Sequence, residues 1–422
     1  MTAAPSGAGP PPAVILGGGP IAVPVARSLA RSGVRTVALG FASDPVRHSR
    51  HCARFVDLGA GDGVQERWLD WLAARSEPGA VLLPCNDDAL ELIARRRDEL
   101  LALGYCPIEA NDEVVLAMLD KQRTYELARS IGVEAPRTAP LAAGEDPGPA
   151  LAELTFPVAV KPRHSHLFAR HFGLTTKLFT AGDRDELAAL LDRLAPLELD
   201  LLLSEIVPGP DDAYHSYYTF MDERGEPLLH LTKHKLRQFP PAFGLGTYHL
   251  IDRDEEVMEA GRRFFRGIGL RGMGCVEFKR DARDGRLVVI ECNHRFTAGH
   301  ELVRHAGIDL ALLAYDRLVG RPTAPIRGYR TGVRQWHPVE DARALRGLRA
   351  NGQLGVLEWA RGLAHRQHFP LFCWRDPLPS VRSWQRFVTR LLPHQRATRA
   401  ATASATARVP AAPPESRPER MS

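Results

Sequence analysis

Apolar and polar residues run along the chain in two rhythms. From Ala13 an apolar run, a glycine turn, a helix-period stretch and a second apolar run follow one another as AVILGGG, PIAVPVARSLARSG and VRTVALG. Unbroken apolar runs suit strands buried on both faces, and the helical stretches between them predict parallel pairing through crossovers. The same order returns through AVLLPCNDD, so a parallel α/β unit is expected over residues 13–115. DKQRTYELARSIGVEAPRT reads as a helix ended by its Gly-Val pair, with Pro136 opening an extended segment. Next come the strand FPVAVKP, the helix DRDELAALLDRLAPL and the strand LDLLLSEIVPG. Beyond Tyr214 the strands lengthen and pair by hairpins, with RDARDGR as the clearest turn. The fold class expected is therefore α/β followed by α+β with an antiparallel sheet.

One strand breaks the rule that a core strand is apolar. In VVIECNHRF the residues Glu291, Asn293 and Arg295 occupy every second position. A turn centred on Asp284 places Glu277 of GCVEFKRD directly opposite Glu291, with Cβ atoms ~5 Å apart on one face. Val276, Phe278, Ile290 and Cys292 then face the core. Like charges opposite one another destabilise a sheet unless a cation lies between them. Two carboxylates and the Asn293 amide form an oxygen-only set suited to Mg²⁺ or Mn²⁺. Arg295, one step further, stands where a transferring phosphate needs its charge neutralised. The plainer alternative is a solvated face with each carboxylate paired to a nearby Arg or Lys; the opposed register together with the ExNxR spacing favours the metal.

The formal charge of +5 changes little, because five Arg against two Glu from His394 to Ser422 put +3 of it in the tail. The rest is nearly neutral and shows no basic face with interleaved aromatics, so nucleic acid is not an expected partner. The six Cys lack CxxC spacing and sit mostly in apolar runs, as reduced thiols do. The leader, residues 1–12, has neither a basic nor an apolar region, and no run is long enough to span a bilayer. No membrane partner and a cytoplasmic location are expected. Disorder is expected for that leader and for residues 393–422, and an ordered appendage for residues 321–392, which hold four of the six Trp.

GCVEFKRD with VVIECNHR resembles the metal-binding end of an ATP-grasp domain of the carboxylate–amine ligase type, and other family elements appear upstream in order. The resemblance covers about residues 13–320. It implies a pre-ATP-grasp α/β domain over 13–115 and an ATP-grasp domain over 116–320, its nucleotide-binding subdomain at 136–210 and its metal-binding subdomain at 211–320. Lys121 in LDKQRTY and Lys161 in FPVAVKP match the phosphate lysines, Glu205 in LLSEIVPG the adenine contact, Val207 the same nucleotide-binding set and Asp212 the ribose carboxylate. Glu277, Glu291 and Asn293 match the metal ligands. Lys235 and Arg237 in LTKHKLRQF, with Arg295, are assigned to phosphate and substrate carboxylate. ATP and Mg²⁺ or Mn²⁺ are the implied cofactors, and small-molecule carboxylate and amine substrates the implied partners; a homo-oligomer is left open. Where the family carries a glycine-rich phosphate lid, this chain has RHSHLFARHFGLTTK with three His and one Gly.

Two rival readings stand beside this one. GGGPIA matches GxGxxA, a nicotinamide-cofactor fingerprint, but the next strand ends at Gly40 where a ribose-binding Asp or Glu is wanted, so a tight structural turn accounts for it better. A non-catalytic ATP-binding regulator is the other, and the intact metal triad weighs against it. Asn86 and Asp87 in CNDD remain equally readable as substrate contacts or a helix cap.

Overall fold

A computed structural model describes residues 9–75, 77–152, 154–164, 168, 171–172 and 176–391. Most of the expected leader, the expected tail and much of the His-rich segment at 163–175 lie outside the described residues.

The first unit is a parallel sheet of β1 (Ala13–Leu16), β2 (Thr36–Gly40), β3 (Arg54–Asp57), β4 (Val81–Pro84) and β5 (Cys106–Pro107), in the order β3-β2-β1-β4-β5. Every residue of β1, β2 and β4 is buried, as strands covered by helices on both faces must be. Because β1 lies between β2 and β4, the strand order reverses beside it. The loops leaving β1 and β4 meet at that switch point, where α/β sheets open a crevice. Gly17 takes φ +82° there, and a Cβ on it would stand 2.6 Å from Asn86 Cγ. The glycine turn is closed from its other side by Asp44, whose Oδ2 accepts from the Phe41 amide at 2.9 Å and would lie 2.0 Å from a Cβ on Gly18. The glycines thus serve a close protein contact, in keeping with a structural turn.

A four-stranded antiparallel sheet follows, made of β6 (Thr138–Leu141), β7 (Val158–Pro162), β8 (Phe179–Ala181) and β9 (Leu201–Glu205) in the order β6-β9-β7-β8. Leu187, Leu190 and Leu194, spaced at helical intervals on Arg184–Leu194, cover it with a core of their own.

The largest sheet comprises β10 (Tyr214–Met221), β11 (Pro227–Phe239), β12 (Leu245–Asp252), β13 (Gly272–Arg280), β14 (Leu287–Asn293), β15 (Arg334–Trp336) and β16 (Gln367–His368), ordered β14-β13-β10-β11-β12-β15-β16. Its pairings are antiparallel except β15 with β16. The segment beyond residue 320, expected as an appendage, thus contributes two short strands to this sheet. One face packs Tyr217, Val276, Phe278 and Val289 against the helices Glu255–Gly267, Asp112–Leu119 and Lys121–Ser130. The opposite face is divided. Tyr218, Leu231, Ile251 and Cys275 at one end join the core of the parallel unit, while Glu277, Lys235 and Lys279 occupy the other end.

The C-terminal segment is tied back to the parallel unit through one buried ion pair. Arg27, fully buried in the helix Gly19–Arg31, donates Nε to Asp376 Oδ2 at 2.8 Å, and Ser49 Oγ and the Arg50 amide donate to the same carboxylate. Burial alone would raise the Asp376 pKa, but these donors hold it below the usual carboxylate range. The pair therefore contributes stability at neutral pH that is lost as pH falls through that depressed pKa. Asp376→Ala leaves a buried guanidinium without its counter-ion. A loss of about 3–5 kcal/mol is expected, read as a lower urea midpoint at pH 7; an unchanged midpoint would show that the pair is dispensable.

Candidate active site

The site is built on the hairpin of β13 and β14. Glu277 pairs with Glu291 and Cys275 with Asn293, so the two carboxylates do face each other. The route to that register differs from a simple turn. Near the turn Arg280 pairs with Leu287 and Phe278 with Val289, one residue out of step with the site. Ile290 is the extra residue of a β-bulge that restores the phase. Expected in the core, it is only half-buried, and its carbonyl accepts from the Tyr125 hydroxyl at 2.9 Å. Tyr125 belongs to the helix Lys121–Ser130, so that helix holds the bulge.

The same helix delivers Lys121. Its N-cap Asp120 accepts from the amides of Gln122 and Arg123 and also from Arg163 Nη2 at 2.6 Å, while the Lys121 amide donates to the Arg163 carbonyl. These bonds join the helix start to the end of β7, where Lys161 sits. Lys161 Nζ donates to Ser204 Oγ at 3.2 Å and lies 5.6 Å from the Tyr125 ring centre. Burial, reinforced by the nearby Lys121, lowers its pKa from 10.5 to about 7. Burial likewise lowers Lys121, with Glu291 pulling the other way.

Cations surround the carboxylate pair. Lys235 Nζ donates to Glu277 Oε1 at 3.0 Å and stands 4.0 Å from the Tyr214 ring centre. Lys279 approaches the same ring at 5.0 Å and donates to the Val207 carbonyl at 2.9 Å. Glu291 is held at about pKa 2: Lys177 contributes most, burial opposes it, and Lys121, Arg295 and Lys235 add to the lowering. Arg295 Nε donates to Asp87 of the CNDD loop, so the switch point of the parallel sheet is pinned beside Glu291. Asn86 is the cap of the next helix, accepting from the Ala89 amide at 2.9 Å. Asp87, Lys121, Tyr125, Glu291 and Asn293 line one cleft.

The remaining expected residues are placed less centrally. Glu205, at the end of β9, accepts from Arg283 at 2.8 Å and Arg137 at 3.5 Å; burial would raise its pKa, and these two arginines lower it. Asp212 is exposed and offers its carbonyl to His234 Nε2, whereas neighbouring Asp211 turns its carboxylate to Gln238 and the Ala242 amide. Arg237 is not brought to the carboxylates. A bulge intervenes between it and Lys235, and both Nε and Nη2 bond to buried Asp341 at 2.8 Å. Thr247, Trp336 and Trp359 donate to that same carboxylate, which makes Arg237 part of a satisfied buried cluster.

Three cations near the pair were not singled out from sequence: Lys177, Lys233 and Lys279. Lys233 is buried, 5.6 Å from the Tyr218 ring centre. A compositional signal was available. The chain has only six lysines, at 121, 161, 177, 233, 235 and 279, among 55 basic residues. Five of them act on Glu277 or Glu291, and Lys279 shares the Tyr214 ring with Lys235, while arginine supplies the other basic positions. A compact ammonium on a flexible stem suits a phosphate as a point charge, which arginine's planar fork does not replace.

The donor set is oxygen only, opposed across a ladder and ringed by amines that would also draw nucleotide phosphates. It fits a hard divalent ion such as Mg²⁺, which binds through one or two carboxylates plus phosphate oxygens.

No protein-family model matches the chain. It is 26% identical over 253 residues to a D-aspartate ligase of Enterococcus faecium (strain Aus0004), covering 57% of this chain and 59% of that one. It is 28% identical over 216 residues to a D-alanine–D-alanine ligase of Pseudomonas entomophila (strain L48), covering 46% and 64%. The chain thus spans about three fifths of these relatives. Among solved structures, the biotin carboxylase domain of Hydrogenobacter thermophilus 2-oxoglutarate carboxylase, in complex with MgADP, ADP and bicarbonate, superposes with TM-score 0.60 at 19% identity over 76% of this chain and 73% of that one. The chain has the ATP-grasp fold.

Proposed function

We propose that this protein is an ATP-dependent carboxylate–amine ligase. The observation that carries the reading is the opposed pair Glu277 and Glu291 with five lysines acting on it. Glu277, Glu291 and Asn293 would hold Mg²⁺, which when bound neutralises phosphate oxygens and keeps the γ-phosphoryl group in line for transfer. Lys121 and Lys161 neutralise the phosphates, with Lys177 approaching from the segment after the His-rich stretch. Glu205, the Val207 backbone and Asp212 meet the base and ribose. Lys279 holds the Val207 carbonyl and so fixes the chain just after β9.

A substrate carboxylate oxygen attacks the γ-phosphorus and ADP leaves, giving an acyl phosphate. Arg295 and Lys235 stabilise its charge. An amine then attacks the carbonyl carbon, phosphate departs with its electron pair, and the amine loses a proton to leave an amide. Activation is required because a carboxylate repels nucleophiles and has no good leaving group. Asp87 locks Arg295 against the parallel unit, so the substrates sit between that unit and β14. Amino acids or a peptide are the substrate class, in line with the D-aspartate and D-alanine ligases among the relatives.

The reading is tested with ATP, Mg²⁺ and a panel of amino acids and small carboxylic acids, one set carrying ¹⁸O in the carboxylate. ADP release that depends on both a carboxylate and an amine, with one ¹⁸O passed to inorganic phosphate, is expected; ATP binding without substrate-dependent ADP release would leave the regulatory reading in its place. Glu291→Gln should remove Mg²⁺-dependent turnover by at least about 100-fold with an unchanged circular dichroism spectrum. Turnover retained in that variant sinks the metal assignment.

The lowered pKa of Lys161 gives a separate prediction. Near pH 8 its amine is mostly neutral, and arriving phosphates restore the charge, so nucleotide binding takes up a proton. At pH 6 the amine is already charged and the uptake vanishes. Calorimetry in two buffers of different ionisation enthalpy measures this. Lys161→Gln should abolish the uptake, and its absence in the wild type at pH 8 would remove Lys161 from the phosphate site.

A further inference from the structure

The rear face of the largest sheet carries a second group of ligand-type side chains that the proposed reaction does not use. His215 of β10 and His234 of β11 are directly opposed in the antiparallel register, and their rings stack with centres 4.3 Å apart and planes at 13°. Asp252 closes the group: one ligand atom from each of the three residues lies within 4.8 Å of the others. Asp254, the N-cap of the helix Glu255–Gly267, lies alongside with Oδ2 3.8 Å from His215 Nδ1.

The hydrogen bonds leave this group incomplete. His234 Nε2 donates to the Asp212 carbonyl, which in a neutral ring leaves Nδ1 with a lone pair. That lone pair faces Asp252 Oδ2 at 3.9 Å, beyond hydrogen-bond reach. His215 Nδ1 is buried with no partner. His215 Nδ1, the His234 ring and the Asp252 carboxylate thus converge with no hydrogen bond joining them, and a cation held between them would satisfy all three.

We infer that His215, His234 and Asp252 form a binding site for a divalent transition-metal ion of the Zn²⁺ type, separate from the carboxylate pair. Two imidazoles and a carboxylate are the borderline donor set that Zn²⁺ and Co²⁺ accept and Mg²⁺ does not favour. Around an ion with bonds of about 2.0–2.2 Å, tetrahedral ligand atoms stand roughly 3.3 Å apart. The present ligand atoms, within 4.8 Å of one another, stand wider than that, and an ion would draw them together. The surrounding bonds already orient the ligands: the Asp212 carbonyl holds His234, and Thr232 Oγ1 donates to Asp252 Oδ1 at 3.1 Å. Arg280 draws on Asp254 at 3.6 Å, which leaves the fourth position to water or to a weakly held Asp254. The four side chains are 12–25% exposed, so an ion has a path in. The site does not depend on the ligase reading, yet it would stiffen the 211–213 turn from behind through His234 and Asp212.

The test uses the full chain, stripped with chelator and titrated with Co²⁺ or Zn²⁺ alone. Expected are one tightly held ion per chain, a Co²⁺ visible spectrum of nitrogen and oxygen ligation without a thiolate charge-transfer band, and a raised thermal midpoint. His234→Gln and Asp252→Asn should each weaken binding roughly 100-fold with an unchanged circular dichroism spectrum, while Glu291→Gln retains the ion. No stoichiometric binding by the wild type, a thiolate band, or loss of the ion in Glu291→Gln would each overturn the site. The Co²⁺ spectrum needs no variant, so misfolding of one cannot rescue the idea.

Discussion

Two carboxylates held face to face on a half-buried ladder repel one another unless cations lie close, and buried ammonium groups in turn need anions beside them. Glu277 and Glu291 impose that mutual dependence on the molecule. Burial acts against Glu291, which it would raise, and against Lys121, Lys161, Lys233 and Lys279, which it lowers. For Glu291 the surrounding cations win, and its pKa falls to about 2. For Lys161, beside Lys121 and further from a carboxylate, burial wins. The result is one anchored anionic centre with an amine at its edge poised to take up charge.

The fold supplies this centre from five places that are remote in sequence. The linker helix brings Lys121, β7 brings Lys161, β11 brings Lys233 and Lys235, and β13 and β14 bring the carboxylates. A single sheet face serves two purposes, its apolar end continuing the core of the parallel unit and its polar end opening on the cleft. Tyr214 separates Lys235 from Lys279, and its ring face gives two like charges a shared, weakly anionic neighbour.

Much of this was legible in the sequence because it is local. Strand alternation and a short turn pointed to the opposition of Glu277 and Glu291, although the strands reach it only through the bulge at Ile290, and glycine punctuation with apolar runs was enough to predict the parallel unit. What escaped was non-local or irregular. Arg237 follows Lys235 by two residues, which in a regular strand means the same face, but a bulge separates them and its partner Asp341 lies 104 residues away. β15 and β16, three and two residues long, are too short for alternation to declare itself. Lys233 and Lys279 look like ordinary strand cations until the scarcity of lysine elsewhere is noticed. Asn86 and Asp87 were evenly balanced between substrate contact and cap; in the structure Asn86 is the cap and Asp87 is turned to Arg295.

The bulge at Ile290 carries a consequence for how such a hairpin tolerates change. Between the turn and the carboxylates the two strands are offset by one residue, and the offset is absorbed at a single position fastened by Tyr125. The turn is thereby mechanically insulated from the centre it supports. Lengthening or shortening the loop between Arg280 and Leu287 can be taken up by moving, removing or adding a bulge, while the face on which Glu291 and Asn293 project is preserved. Loop length and site geometry are thus structurally decoupled, although fewer than ten residues lie between them.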